Sequence, residues 1–273
     1  MTTSHEIRIG TTRQVSDAYP MRTMDAVRLI ARKEAGEIIL NRRGRAWLLA
    51  MVSVLSGFSL LLVGSTELSL LDNAQVVYDM SGIIVALGAL LAIVVGADAF
   101  AGERERGTLL PLMLCPISRT GILAGKLFGQ LAAWVVMFAL ALPYLWAVGS
   151  TGQNLFDSIL GLALFGTPVV LSFGLFAMGV GARLRSVRAS LMTMLIALLL
   201  GASPLLLGPS LRQSTLGRLF DAINPFSHAV NALDAMIIDS TGLMTQIVHF
   251  GAIVTWLVIA AIFAMRSTDQ LAS

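Results

Sequence analysis

Six apolar runs govern what this chain can become: 46–64, 81–101, 122–149, 158–182, 189–209 and 247–265. Each is near or above the ~20 residues that a helix needs to cross the hydrocarbon core of a bilayer. Lipid offers no hydrogen bonds, so every backbone N–H and C=O in such a run has to be satisfied within the segment, which makes it a helix. Charge content agrees. Only 13% of the 273 residues are charged, against about 25% in a typical soluble domain. The expected fold class is therefore all-α membrane protein, with six transmembrane helices over residues 46–273. Pro143 and Pro168 are positioned to kink the third and fourth spans. Gly201, Ser203, Pro204, Gly208 and Pro209 leave the outer half of the fifth irregular.

Two segments precede the first span. Residues 1–23 are rich in Ser and Thr and show no apolar periodicity, the pattern of a flexible cytoplasmic tail. From 24 to 45, Val27, Leu29, Ile30, Ile38, Ile39 and Leu40 alternate with Arg28, Arg32, Lys33, Glu34 and Glu37. This predicts an amphipathic helix lying in the headgroup layer, with a solvated lead helix as the alternative. The run Asn41-Arg42-Arg43-Gly44-Arg45 is expected to break it and turn the chain into the bilayer. Because the first apolar run starts only at Ala46 and has a full span's length, it is expected to stay as an anchor.

Lys and Arg in the connections set the orientation. Of 19 such residues, all but Arg212 and Arg218 fall before the first span, in the second and fourth connections, or after the last span. Both termini are expected to face the cytoplasm of a cell inner membrane. Glu67, Asp72, Asp79, Asp157, Asp221, Asp234 and Asp239 go to the other side. The pI of about 9.5 is thus a topology signal, and nucleic acid drops out as a partner; membrane lipid is the surrounding medium. The long outer connection 210–246 carries Leu219, Phe220, Ile223, Phe226 and Met236-Ile237-Ile238 around Asn224-Pro225. It predicts short helices lying at or dipping into the outer interface, or a plain amphipathic surface helix.

The charged connection 101–126, AGERERGTLLPLMLCPISRTGILAGK, carries the candidate site. Glu103, Arg104, Glu105 and Arg106 alternate in sign at the exit of the second span. Thr108 is a fair N-cap for a short helix in which Pro111 still falls in the permissive first turn. Leu109, Leu110, Leu112, Met113 and Leu114 give that helix an apolar face, suited to a groove on a partner protein or to resting on headgroups. Asp98, the one carboxylate within a span, is either a functional intramembrane group or an ion-pair partner of Arg104 or Arg106. No catalytic constellation and no metal-ligand spacing is present. The lone Cys115 excludes an intrachain disulfide and a Cys-based zinc site, and Met192 and Met194 fall on different helix faces. Gly121-Ile-Leu-Ala-Gly125-Lys126-Leu127 only mimics a phosphate loop: it is one residue short and has Leu where Ser or Thr would hold Mg²⁺. Gly121, Gly125 and Gly129 instead share one face, which predicts close helix packing.

The run from Gly102 through Gly107-Thr108-Leu109 to Gly125-Lys126-Leu127 resembles the signature of ABC-2 type transporter permeases, and within them is nearest to the NosY-like branch, associated with copper-enzyme maturation. The resemblance implies an ABC-2 (type V exporter-like) permease fold with a coupling helix at Thr108 to Cys115, seated on a cytoplasmic ABC ATPase. It further implies a second copy of the chain, a periplasmic accessory protein, and no cofactor in this chain, ATP and Mg being bound by the ATPase. This chain departs from the family pattern at Leu110-Pro111, where an acidic residue often follows Gly-Thr-Leu. A stand-alone secondary transporter, export of a lipid or drug by the same architecture, and an intramembrane enzyme are the rival readings.

Overall fold

In the computed structural model, residues 23–64, 73–115, 117–149, 154–203 and 214–272 are described. The flexible-tail expectation for the N-terminus lies almost wholly outside them. Helix α1 (Thr23–Leu40) leads into α2 (Arg42–Gly64). Only Asn41 breaks the helix between them; the basic residues from Arg42 onward already form the first turn of α2. Helix α3 (Asn73–Glu105) is followed by the short α4 (Leu109–Leu114) and by α5 (Arg119–Gly149). Next, α6 (Leu155–Gly161), a π-helical turn (Leu162–Gly166) and α7 (Thr167–Leu184) form one rod. The remaining helices are α8 (Val187–Gly201), α9 (Thr215–Ile223), α10 (Pro225–Ile237) and α11 (Ile247–Asp269), the last with a 3₁₀ lead at Leu243–Gln246.

Among the described residues, five helices are long and apolar enough to cross a membrane: Gly44–Leu62, Asn73–Glu105, Arg119–Gly149, Leu155–Leu184 and Leu243–Asp269. Of the expected fifth span, 189–209, the described residues contain α8 and the turn after it. Helix α8 has 15 residues, about 22 Å at 1.5 Å per residue, which falls short of the ~30 Å hydrocarbon thickness. At its C-terminal end a distant side chain bonds the backbone. Asn224 Nδ2 donates to the Gly201 carbonyl at 2.7 Å, which satisfies one of the open carbonyls at the helix C-terminus. The part of that run from 204 to 209 lies outside the described residues. Pro143 stands inside a continuous α5. Pro168 follows directly on the π turn, where the wider helix accommodates a residue without an N–H.

The core forms around α3, which packs along α7, α5 and α8, while α11 covers the other side of α7. Apolar burial cannot drive this association in lipid, where tails are as apolar as Leu; close packing of small residues does. The contact of α3 with α7 is built that way. A Cβ at Gly96 would sit 2.5 Å from the Gly174 carbonyl oxygen, and one at Gly181 would sit 2.9 Å from that of Ala97. Gly96→Leu is expected to lower the thermal midpoint of the purified protein by forcing these helices apart, an overpacking effect of about 1–3 kcal/mol. Gly57→Leu, at an exposed position with nothing within 4 Å, should leave the midpoint unchanged.

Within the connection 210–246, α10 is sunk into the bundle. Phe226, Ala229, Val230, Ala232, Leu233 and Ile237 are all fully buried, against α3, α6 and α11. Asn224 also accepts from Phe226 N at 3.0 Å and so caps the helix. At the other end Asn154 Nδ2 donates to the Ile237 carbonyl at 2.8 Å. Helix α10 therefore runs from the level of Gly201 up to the start of α6. By contrast α9 buries no residue. Its Leu216, Leu219, Phe220 and Ile223 wall an apolar cavity of about 760 Å³ together with Phe173 and Trp256.

Candidate functional site

At 33 residues, α3 spans about 50 Å, well beyond the hydrocarbon thickness, so its last turns carry the charged run clear of the apolar core. The helix closes on Gly107, whose φ of +72° lies in the left-handed region that glycine enters without a Cβ penalty. Gly107 N donates to the Arg104 carbonyl at 3.0 Å and Thr108 N to that of Glu103 at 2.8 Å. Thr108 holds the expected N-cap position of α4 but makes no capping bond. Its hydroxyl donates backward to the Glu103 carbonyl at 3.2 Å, so it seals the end of α3 instead.

Each charge of the run is tied to a different part of the bundle. Lys126, 2% exposed, lies between Glu34 and Glu103, its Nζ donating to Glu34 Oε1 at 2.7 Å and Glu103 Oε1 at 2.9 Å. The ammonium also lies 5.5 Å from the Phe100 ring centroid, a cation–π distance. Arg104 Nη1 donates to the Ala182 carbonyl at 3.3 Å near the end of α7. Glu105 Oε1 accepts from Val187 N at 2.9 Å, a charge-assisted bond at the N-terminus of α8. Arg106 Nη1 reaches both carboxylate oxygens of Asp98 at 3.1 and 3.0 Å.

This placement bears on two of the expected site residues. Glu103, grouped with the surface contacts, is buried at 4% exposure and neutralises an internal lysine. Asp98 takes the ion-pair alternative, with Arg106 as its partner. Glu105 and Arg106 stay exposed and Arg104 is half-buried, although all three also brace the bundle.

The apolar residues of α4 divide by direction. Leu109 is buried, and Leu112 and Met113 pack onto a cluster with Phe100, Ile122, Leu123 and Met178. Leu110 and Leu114 point outward at 70% and 76% exposure. Leu109, Leu110 and Met113 also wall a cavity of about 510 Å³ with Arg104, Ile117 and Arg119. A six-residue helix anchored on one side and bare on the other is thus displayed at the end of α3 and α5.

The glycine face of α5 meets α1. Gly125 faces Ile30 and the Val27 carbonyl, and Gly129 faces Glu34. That contact brings Glu34 against Lys126. The ion cluster escaped sequence reasoning, although a signal existed. A lysine about one turn into an apolar run cannot stay uncompensated, and Glu34 and Glu103 are among the few acidic residues that border the apolar runs.

Among the described residues, no group of three or more His, Cys, Asp or Glu is placed to hold a metal ion. Met194 is buried and Met192 is 58% exposed, on different faces as expected. His228 and His249, from α10 and α11, share a ring-nitrogen hydrogen bond of 2.9 Å.

Long apolar helices describe a membrane protein, and residues 28–269 match the family model described as ABC-2 family transporter protein. The chain belongs to that family. Among curated proteins it is similar to the probable ABC transporter permease protein NosY of Pseudomonas aeruginosa, 36% identical over 115 residues. It is likewise similar to the same-named protein of Stutzerimonas stutzeri, 35% identical over 115 residues. Each alignment spans 39% of this chain and 39% of the relative.

Proposed function

We propose that this chain is the transmembrane permease subunit of an ATP-binding cassette transporter, with both termini in the cytoplasm. A separate cytoplasmic ATPase binds ATP and Mg and seats on α4; this chain holds no nucleotide site and performs no covalent chemistry. Two copies pair around one pathway, and ATPase closure rocks the spans between inward- and outward-facing states. Helix α1 lies along the cytoplasmic interface of the inner membrane. The observation that carries the reading is the bare Leu110–Leu114 face of α4 on an end of the bundle where Arg104, Glu105 and Arg106 link to α7, α8 and α3. A push on α4 therefore reaches several helices together.

Likeness to NosY supports a role in copper-enzyme maturation, with a periplasmic accessory protein as a further partner. A second reading, export of a lipid or drug by the same architecture, is favoured by the apolar 760 Å³ cavity. Volumes of 300–1,000 Å³ with mostly apolar walls suit small apolar ligands. Affinity purification of the tagged chain from its own membranes tests the core of the proposal. A soluble ATPase should come down in a near-equal amount. Recovery of the chain without any ATPase would leave the stand-alone transporter as the better reading.

A further inference from the structure

A third cavity, of about 270 Å³, lies among α1, α2, α3, α5 and α8, at the same end of the bundle as the charged run. Its walls are of two kinds. One part is apolar, with Leu91, Val94, Val95 and Leu191; the other is charged, with the carboxylates Glu34, Glu37, Asp98 and Glu103 against the cations Arg106 and Lys126. Both cations are already engaged, Arg106 by Asp98 and Lys126 by Glu34 and Glu103. Lys33 adds longer ion pairs, 3.7 Å to Glu37 and 3.8 Å to Glu103, so the four carboxylates meet three cations and one negative charge is left in excess. In addition Glu103, only 4% exposed, has one carboxylate oxygen, Oε2, that is buried and meets no hydrogen-bond donor. A buried carboxylate oxygen without a donor is costly, and a ligand that donates an N–H would relieve it.

We infer that this cavity binds the primary ammonium headgroup of a membrane phospholipid, of the phosphatidylethanolamine type. The ammonium supplies the missing donor and offsets the excess charge, which a quaternary choline group without N–H cannot do. The mouth fits the rest of a zwitterionic lipid. Arg42 and Arg45 stand exposed in the first turn of α2, next to the cavity residues Asn41 and Gly44, where they suit a phosphate. Trp47, also on the wall, is a residue type that favours the headgroup level. The apolar wall comes from α3 and α8, and Leu49 and Val54 of α2 and Met192 and Ile196 of α8 are exposed, so apolar surface on both helices is open to an acyl chain that continues from the headgroup. That continuity favours a lipid over a free amine. The inference goes beyond the transport reading and does not depend on the ATPase.

The test uses the full chain, together with any subunit that co-purifies, in nanodiscs of equal parts phosphatidylethanolamine and phosphatidylcholine with identical acyl chains. After mild delipidation, the retained lipids are quantified by mass spectrometry. Phosphatidylethanolamine should be enriched about tenfold, the difference that one charge-assisted hydrogen bond confers. Glu37→Gln, at a half-exposed position, should reduce the enrichment. The pair Glu103→Gln with Lys126→Met, which removes the buried charges together, should abolish it. Equal retention of both lipids by the wild type overturns the inference, and so does an enrichment that both variants keep. Saturable binding of labelled putrescine alongside equal lipid retention also overturns it, and assigns the cavity to soluble amines.

Discussion

Lys126→Met is expected to yield little folded, monodisperse protein. The lysine is 2% exposed and holds Glu34 and Glu103 within 2.9 Å of its ammonium. Without it two carboxylates face one another across a space with little water, and breaking a buried ion pair from one side destabilises by about 3–5 kcal/mol. The double variant Lys126→Met with Glu103→Gln should recover most of the loss. Neutral groups of similar size often replace a buried pair with little penalty, and the remaining Glu34 keeps some access to water at 13% side-chain exposure. The readouts are the thermal midpoint and the monodisperse fraction after detergent extraction. A single variant as stable as the wild type would show that the cluster does not hold α1 against α3 and α5.

Leu110→Asp combined with Leu114→Asp is expected to abolish ATPase co-purification while leaving membrane insertion and thermal midpoint unchanged. Both side chains are at least 70% exposed, so charging them removes nothing from the bundle's own packing. On a docking surface the same changes place two carboxylates against an apolar groove, and each unpaired buried charge opposes binding by several kcal/mol. A loss of more than about a hundredfold in affinity follows from roughly 3 kcal/mol. Leu112→Asp is the contrasting variant. Leu112 is half-buried against the inner cluster, so it should lower the thermal midpoint as well. An unchanged pull-down from the Leu110/Leu114 variant would remove α4 as the docking element.

The long apolar runs made the helices legible, since in lipid a backbone without water has one local solution. Helices at 42–64, 73–105, 119–149, 155–184 and 243–269 contain the expected spans almost entirely and extend beyond them. The extensions, such as Gly102 to Glu105 on α3, are polar residues that hydropathy cannot assign but helix hydrogen bonding carries on. The end of α8 was less legible because the side chain that bonds it, Asn224, is 23 residues away from Gly201. The site divides the same way. Its apolar helix was readable from Leu109 to Leu114, whereas the inward turn of Glu103 depends on α1 lying against Gly125 and Gly129 of α5. No local pattern around Glu103 records that neighbour.

The position of α10 bears on how the protein is made. Its buried face is shared among α3 and α6, which leave the ribosome before it, and α11, which leaves after. The seat for α10 is therefore incomplete until the last helix has been inserted. Until then its Phe226, Val230 and Leu233 remain uncovered, an aggregation-prone surface. Truncation ahead of 247 should yield chains that cell quality control clears rapidly.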